Sequence, residues 1–433
     1  MTRVHGYCCL RCGKHYPRDF VIDSRGCPAC HGEAPSNLRL IGSPDILVAE
    51  APSQEGGKAI SSLWRYAHRL PCPARLAVSF GEGLTPLLPA PRLGTRIGVP
   101  QLLIKDEGRN PTWSHKDRFS SVAVSVARVQ GARVVATASS GNAGASLAAY
   151  AARAGLTCVT ATFAGAAGPM LAQIHKTGAI VVPFASKTDR WKFLAEGVER
   201  LGWFATSPYR APVVGSHPAG IEGYKTLAFE LVEQMHGQVP DWCVLPVCYG
   251  DALTGLWQGF LELQAERSID RLPRLVAAEV HGSLSAALAS DQDCLPDVKT
   301  CSDTVAVSIG ATRSAYQALN ALRQSDGVAV PIGDCDLIAC QERLSLDEGL
   351  FAELASVAPF AAIEFLRTRN VIKQQDRVVA IVTASGLKDI DRSMCRAPQQ
   401  PTFSSVAEAW SHISAETRLH LRTAQEPVFT TRH

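Results

Sequence analysis

The chain of 433 residues lacks any apolar run of roughly 18 residues free of charge and proline, so the signature of a transmembrane helix is absent. Its first residues, Met1 to Cys8, have no apolar core of the kind a signal peptide needs. Neither sign of charge is in much excess: 43 basic residues face 40 acidic ones, a net +3. That balance excludes a broad electrostatic footprint for nucleic acid or an anionic membrane. Charged residues make up only 19% against 46% hydrophobic, which excludes long disorder and provides for a sizeable core. These absences leave a soluble cytoplasmic enzyme, with length for about three domains at roughly 150 residues each.

Cysteine, by contrast, is plentiful, with 14 residues. Without an export signal a disulfide framework is not expected. Most of those beyond residue 30 sit in apolar runs such as Leu156, Thr157, Cys158 and Val159, where a thiol acts as a small hydrophobe. The front cluster differs. Cys9 and Cys12, then Cys27 and Cys30, form two CxxC knuckles with nearly the spacing of a structural zinc site. Residues 14–25 between them are too few for a hydrophobic core, so a metal would supply the stability. Four protein ligands leave no open position, which marks the site as structural. Cys8 is one residue out of register, and His5 and His31 are weaker alternative ligands. A redox pair is the competing reading.

From about residue 100 the pattern becomes periodic. Strands are predicted at 102–105, 133–138, 156–162 and 179–184, with helices at 120–129, 143–154 and 168–177. Later come strands at 242–247, 274–280 and 377–383, a helix near 253–264 and one long apolar helix over 350–366. A helix-like stretch precedes them near 61–69. Alternation of this kind indicates βαβ units and a parallel sheet. The polar tail holds one amphipathic segment near 406–415.

Three loops follow apolar strands, where open α/β sheets bind ligands. Ser139, Ser140, Gly141 and Asn142 open a helix with small residues, which suits a carboxylate or phosphate; Asn142 alternatively serves only as an N-cap. Val247, Cys248, Tyr249, Gly250, Asp251 and Ala252 form either a phosphate cradle or an ordinary turn. Residues 383–389 place two hydroxyls, Thr383 and Ser385, at a strand end. Lys116 sits on a turn entering a helix. Alone it reads as a solvated surface group; opposite two anion-binding helix ends it suggests a Schiff base with a phosphate-bearing aldehyde.

Several ordered segments carry a resemblance: Gly81 to Leu87, Lys105 to Thr112, Ser114 to Arg118, Ser139 to Asn142, Glu222 to Thr226, Glu348 to Phe351 and Thr383 to Asp389. Over about residues 80–390 the chain resembles threonine synthase and the wider tryptophan-synthase-β-like group, the fold type II pyridoxal-phosphate (PLP) enzymes. An N-terminal zinc ribbon also occurs in some threonine-synthase-like proteins. The resemblance implies an α/β, two-lobed parallel-sheet fold: a ribbon over 1–40, a catalytic fold over 41–395 with a smaller lobe of about 117–224 inserted, and a tail over 396–433. It implies that Lys116 carries PLP and acts as the base at Cα, and that Asn142 meets the cofactor's phenolic oxygen. Ser139, Ser140 and Gly141 would hold the substrate carboxylate, residues 247–252 the cofactor phosphate, and Thr383 would face the pyridine nitrogen. Lys225 and Arg210 would join the substrate-binding set. A small amino-acid substrate and a homodimer complete the expectation.

Three positions depart from the family's pattern. Cys248 and Ala252 stand where glycines are common. Gly220 occupies the place of an arginine that helps hold the phosphate of phosphohomoserine, a loss of roughly 1.5–3 kcal/mol or more unless Arg210 returns to the pocket. Three functions follow: threonine synthase proper, a β-replacement or serine/threonine dehydratase-like enzyme of a specialised pathway, and a non-catalytic module that binds or scaffolds.

Overall fold

Five consecutive apolar residues, Val378–Val382, are buried on both faces, as a central strand of a parallel sheet covered on two sides must be. A computed structural model shows this strand in the middle of the larger of two mixed α/β layers. The structure describes residues 4–32, 34–42, 54–55, 58–186, 188–298, 303–394 and 401–413. In the large sheet the order is Val328–Pro331, Arg274–Glu279, Trp242–Pro246, Val378–Val382, Leu102–Asp106, Leu87–Pro89. All neighbours run parallel except the final pair. Alternation sorts the side chains: Cys243, Leu245, Val379 and Ile381 enter one core, and Trp242, Val244, Val378 and Ala380 the other.

A second, wholly parallel sheet is ordered Ile180–Phe184, Thr157–Phe163, Val134–Thr137, Phe204–Ala205. The helices Lys116–Val129 and Asn142–Ala154 pack against it through Val124, Ala127, Leu147 and Ala151. The N-terminal residues form an antiparallel sheet of His15–Pro17, Val4–Cys9 and Leu38–Gly42. Its apolar side shares a cluster with Trp64, Val122 and Val126, so it rests on the helix that begins at Lys116. Residues Met1–Ser393 form one compact unit and Met394–His433 another. In the second, residues 406–413 are helical, with Val406 and Trp410 exposed; the remainder of the expected amphipathic segment lies outside the described residues. Among the described residues no helix is long and apolar enough to cross a membrane.

The expected helix over 350–366 is shorter. The α-helix runs only over Ala358–Thr368, after a 3-10 turn at Leu354–Val357. The preceding backbone is pulled straight because Gly386 donates to the Phe351 carbonyl at 2.9 Å and Glu353 to the Ala384 carbonyl at 3.1 Å. Residues so bonded cannot also make helical hydrogen bonds. The structure also adds helices that the periodicity left out, including Asp189–Leu201, Lys225–Gln234 and Asp334–Glu348.

Beneath the lysine-bearing helix lies a dry ionic cluster. The side chains of Lys105, Glu107, Arg118 and Glu230 are fully buried, two charges of each sign. Arg118 grips Glu107 with Nε and Nη2 at 2.7 and 2.8 Å and Glu230 with Nη1 and Nη2 at 2.5 and 2.7 Å. Lys105 Nζ donates to Glu230 and to the Thr85 carbonyl, both at 2.7 Å. Burial alone would raise the Glu230 carboxyl; Arg118 and Lys105 overcome it and bring it down to about 2. A buried pair is costly to break because the survivor stays charged and unpaired. Arg118→Met, which strands Glu107 and leaves Glu230 with Lys105 alone, is therefore expected to lose about 3–5 kcal/mol. Denaturant unfolding of the variant and parent measures it; a loss near zero contradicts this account of the cluster.

Candidate active site

Lys116 opens a helix of 14 residues, and three contacts fix that opening. Asp117 accepts from the Thr112 amide and hydroxyl at 2.6 and 2.5 Å and from Ser146 at 2.6 Å, tying the helix to its neighbour Asn142–Ala154. Arg118 sits in the ionic cluster. His115 donates its backbone N–H to the Thr383 carbonyl at 2.8 Å, and its Nδ1 lies 3.1 Å from the same oxygen. Burial and the Lys116 ammonium hold the His115 imidazole well below its usual range, so it is neutral. Lys116 itself is half-buried, with Nζ 5.9 Å from the centre of the Tyr224 ring.

Around this amine the structure gathers the ends of three strands. After Val134–Thr137, Ser139, Ser140 and Gly141 are half-buried, and Gly141 caps the helix that Asn142 begins. Asn142 Nδ2 donates to Glu353 at 2.6 Å, while its Oδ1 is buried without a hydrogen-bond partner. After Trp242–Pro246 comes the 247–252 loop, with Gly250 in the left-handed region (φ 82°) where glycine is favoured. Burial pushes the Cys248 thiol up to about 11, against the pull of Lys116. After Val378–Val382, Thr383 pairs its hydroxyl with Ser356 at 2.8 Å, so a neutral group ends that strand.

Not every expected residue joins them. The Val247 N–H already donates to the Ala278 carbonyl at 2.8 Å, so donors begin at Cys248. The Asp251 carboxylate faces Ser216 and Gln317, leaving the N–H groups of the first helical turn as the anion-facing feature. Lys225 is engaged with Glu222 and Glu262 and the Arg69 carbonyl. Arg210 pairs with Asp23 of the ribbon at 2.7 Å and with Glu199. Neither Lys225 nor Arg210 is among the groups around Lys116. At position 220 an added Cβ would meet the Phe119 ring at 2.3 Å. Phe119 thus fills the space that a side chain there would need.

Other residues enter without having been expected. Glu353, whose carboxyl is pushed up by burial, also accepts from Ser308. Lys388, brought down to about 8 by burial, donates to the Thr112 carbonyl at 2.9 Å and to Gln173. Arg190 Nη1 reaches the Ala138 carbonyl at 3.2 Å, beside Ser139. Glu353 lies two residues beyond the matched Glu348 to Phe351 segment, which was the available signal. Nothing local in the sequence distinguishes Arg190.

Loops that join the carboxyl ends of parallel strands to helix N-termini are where α/β folds bind small anionic ligands, and Lys116 stands half-buried at a helix N-terminus of the same fold. Comparison with known proteins gives the class. A family model described as pyridoxal-phosphate dependent enzyme matches residues 78–384. Threonine synthase of Methanocaldococcus jannaschii is 33% identical over 402 residues, covering 91% of this chain and 95% of that protein. Threonine synthase of Methanosarcina acetivorans is 34% identical over 391 residues, covering 88% and 91%. Among solved structures, a fungal L-serine ammonia-lyase from Rhizomucor miehei superposes with TM-score 0.60 at 19% identity, over 72% of this chain and 96% of that one, a likeness of fold. The chain belongs to the pyridoxal-phosphate dependent enzyme family, as a threonine synthase-like lyase of fold type II. The residues present suit that cofactor: an amine for its aldehyde, helix N–H groups for its phosphate, and an Asn142 amide whose Nδ2 has a second hydrogen beyond the one given to Glu353.

Proposed function

We propose that Lys116 is the residue that bonds PLP and then moves the proton at the substrate's Cα. The match of residues 78–384 to the pyridoxal-phosphate dependent family, with Lys116 half-buried at the start of a helix, carries this reading. Asn142 would hold the cofactor's phenolic oxygen with the second hydrogen of Nδ2, since Glu353 uses the first. The N–H groups from Cys248 to Ala252 would take the phosphate, and Ser139, Ser140 and Gly141 the substrate carboxylate. When bound, PLP supplies an electron sink for charge at Cα. Thr383, neutral and paired with Ser356, would leave the pyridine nitrogen without a charged partner. A weaker sink suits elimination or replacement at Cβ or Cγ better than transamination. The same reading carries a cytoplasmic homodimer acting on a small amino acid, with no nucleic-acid or membrane partner.

The relatives' name supports threonine as product, and phosphohomoserine is the substrate we propose with it. One observation favours a second reading, a β-replacement or dehydratase-like enzyme: Phe119 fills the space at Gly220 and Arg210 is committed to Asp23. Phosphate release from phosphohomoserine, beside ammonia release from serine and threonine, separates the two. The first reading predicts turnover of phosphohomoserine alone, abolished in Lys116→Ala. Ammonia release without phosphate release contradicts it and establishes the second. A Lys116→Ala protein that keeps its full biological role would instead point to a scaffold.

For the ribbon we propose a structural zinc ion. The sulfurs of Cys9, Cys12, Cys27 and Cys30 all lie within 4.8 Å of one another. Cys9–Cys30 and Cys12–Cys27 are separated by 3.7 and 3.8 Å, and tetrahedral zinc with bonds of about 2.3 Å needs edges of about 3.8 Å. Burial raises the Cys9 thiol, but N–H donors of Cys12 and Arg11 outweigh it and bring it down to about 7. Metal analysis is expected to find about one zinc per chain, lost in Cys27→Ser and retained in Cys8→Ser. Metal-free protein of undiminished thermal stability contradicts the assignment.

A further inference from the structure

Tyr224 has no role so far, and its setting is unusual for a tyrosine. The residue is fully buried, and its hydroxyl has no hydrogen-bond partner. Such a group costs about 1–3 kcal/mol unless a ligand pairs it. The ring is held firmly in place. It stacks on His115 with centroids 5.4 Å apart and planes 29° from parallel, meets Phe119 at 6.1 Å, and carries the Lys116 ammonium 5.9 Å from its centre. Behind it, the helix Asp251–Ala265 approaches so closely that a Cβ on Gly255 would lie 2.5 Å from the Tyr224 Cβ. The tyrosine thus packs between Lys116 and the helix Asp251–Ala265, whose first turn follows the 247–252 loop. That turn carries another buried hydroxyl without a partner, on Thr254.

We infer that the Tyr224 hydroxyl donates to the phosphate of the bound cofactor, as a side-chain addition to the N–H groups of the Cys248–Ala252 loop. The inference rests on the reading of Lys116 as the PLP lysine. Burial, then the charge of Asp251, keeps the phenol protonated, and a protonated phenol is a donor throughout the working pH range. The addition is consistent with the loop's own composition, where Val247 has spent its N–H on the sheet and Cys248 and Ala252 replace smaller residues. Phosphate, with its charged acceptor oxygens, is the partner that a neutral donor in a dry site serves best.

Tyr224→Phe removes the one oxygen and keeps the ring that His115 stacks on, so the test is made on the full chain after resolution from its cofactor. Titration with pyridoxal phosphate is compared with titration by pyridoxal, which lacks the phosphate. The variant is expected to bind pyridoxal phosphate about tenfold more weakly and pyridoxal within about twofold of the parent. Inorganic phosphate, used as a competitor of pyridoxal phosphate, should lose potency in the variant by a similar factor. Equal weakening toward both aldehydes overturns the assignment and gives the ring a role at the lysine; undiminished binding of both overturns it outright. A parent protein that takes up neither aldehyde overturns the PLP reading of Lys116 itself, a separate outcome.

Discussion

Everything near the reactive lysine depends on four charges that never meet water. Arg118 follows Lys116 by two residues and is clamped by Glu107 and Glu230, with Lys105 neutralising what remains. A helix N-terminus carrying a lone amine would otherwise be free to fray, because its first N–H groups have no helical partners. Here the second and third residues of the helix are both committed, Asp117 to Thr112 and Ser146, Arg118 to the cluster. The amine can therefore be mobile at its tip while its backbone is fixed. Precise placement of a reacting group is worth several kcal/mol of barrier. The cluster provides the placement without entering the site.

The ribbon joins the same arrangement from the opposite side. Its apolar face packs on Val122 and Val126 of the lysine helix, and Asp23 binds Arg210. A cysteine site distant from the chemistry thus supports the element that bears it. Around the amine itself the groups are mostly neutral: His115, Thr383, Ser356 and Asn142. Charge that develops during reaction would then be met by the helix ends and by whatever cofactor they hold, and not by a competing side chain.

Much of this was legible in the chain. The CxxC pair, the strand–loop–helix joints at Ser139 and Cys248, and Lys116 all stand out by residue type and spacing. The segments that carry the resemblance were informative for a different reason than their chemistry suggested. Lys105, Glu107 and Thr226, and Thr85 before them, are framework, bonded to Arg118, to Lys105 or to one another. Spacing cannot tell a buried ion pair from a ligand site, since both use the same residue types. Arg210 and Lys225 show the limit plainly. Each is a cation near a matched segment, and each is neutralised by acids up to 187 residues away in the chain. Glu353 shows another limit: an acid inside the helix predicted over 350–366 becomes buried because residues 351–353 pair with 384–386 and cannot coil. Helices such as Asp334–Glu348 had local signals, two acids in the first turn and a left-handed Gly349 at the end, that periodicity alone did not weigh.

Among several buried or half-buried lysines, we propose that the cofactor bonds Lys116. Lys388, brought down to about 8 by burial, is the natural rival because a neutral amine also reacts with aldehydes. Borohydride reduction of the protein loaded with pyridoxal phosphate, followed by peptide mass spectrometry, fixes the added mass on one residue. The predicted result is the pyridoxyl mass on the peptide containing Lys116; the same mass on the Lys388 peptide, with Lys116 unmodified, would contradict it.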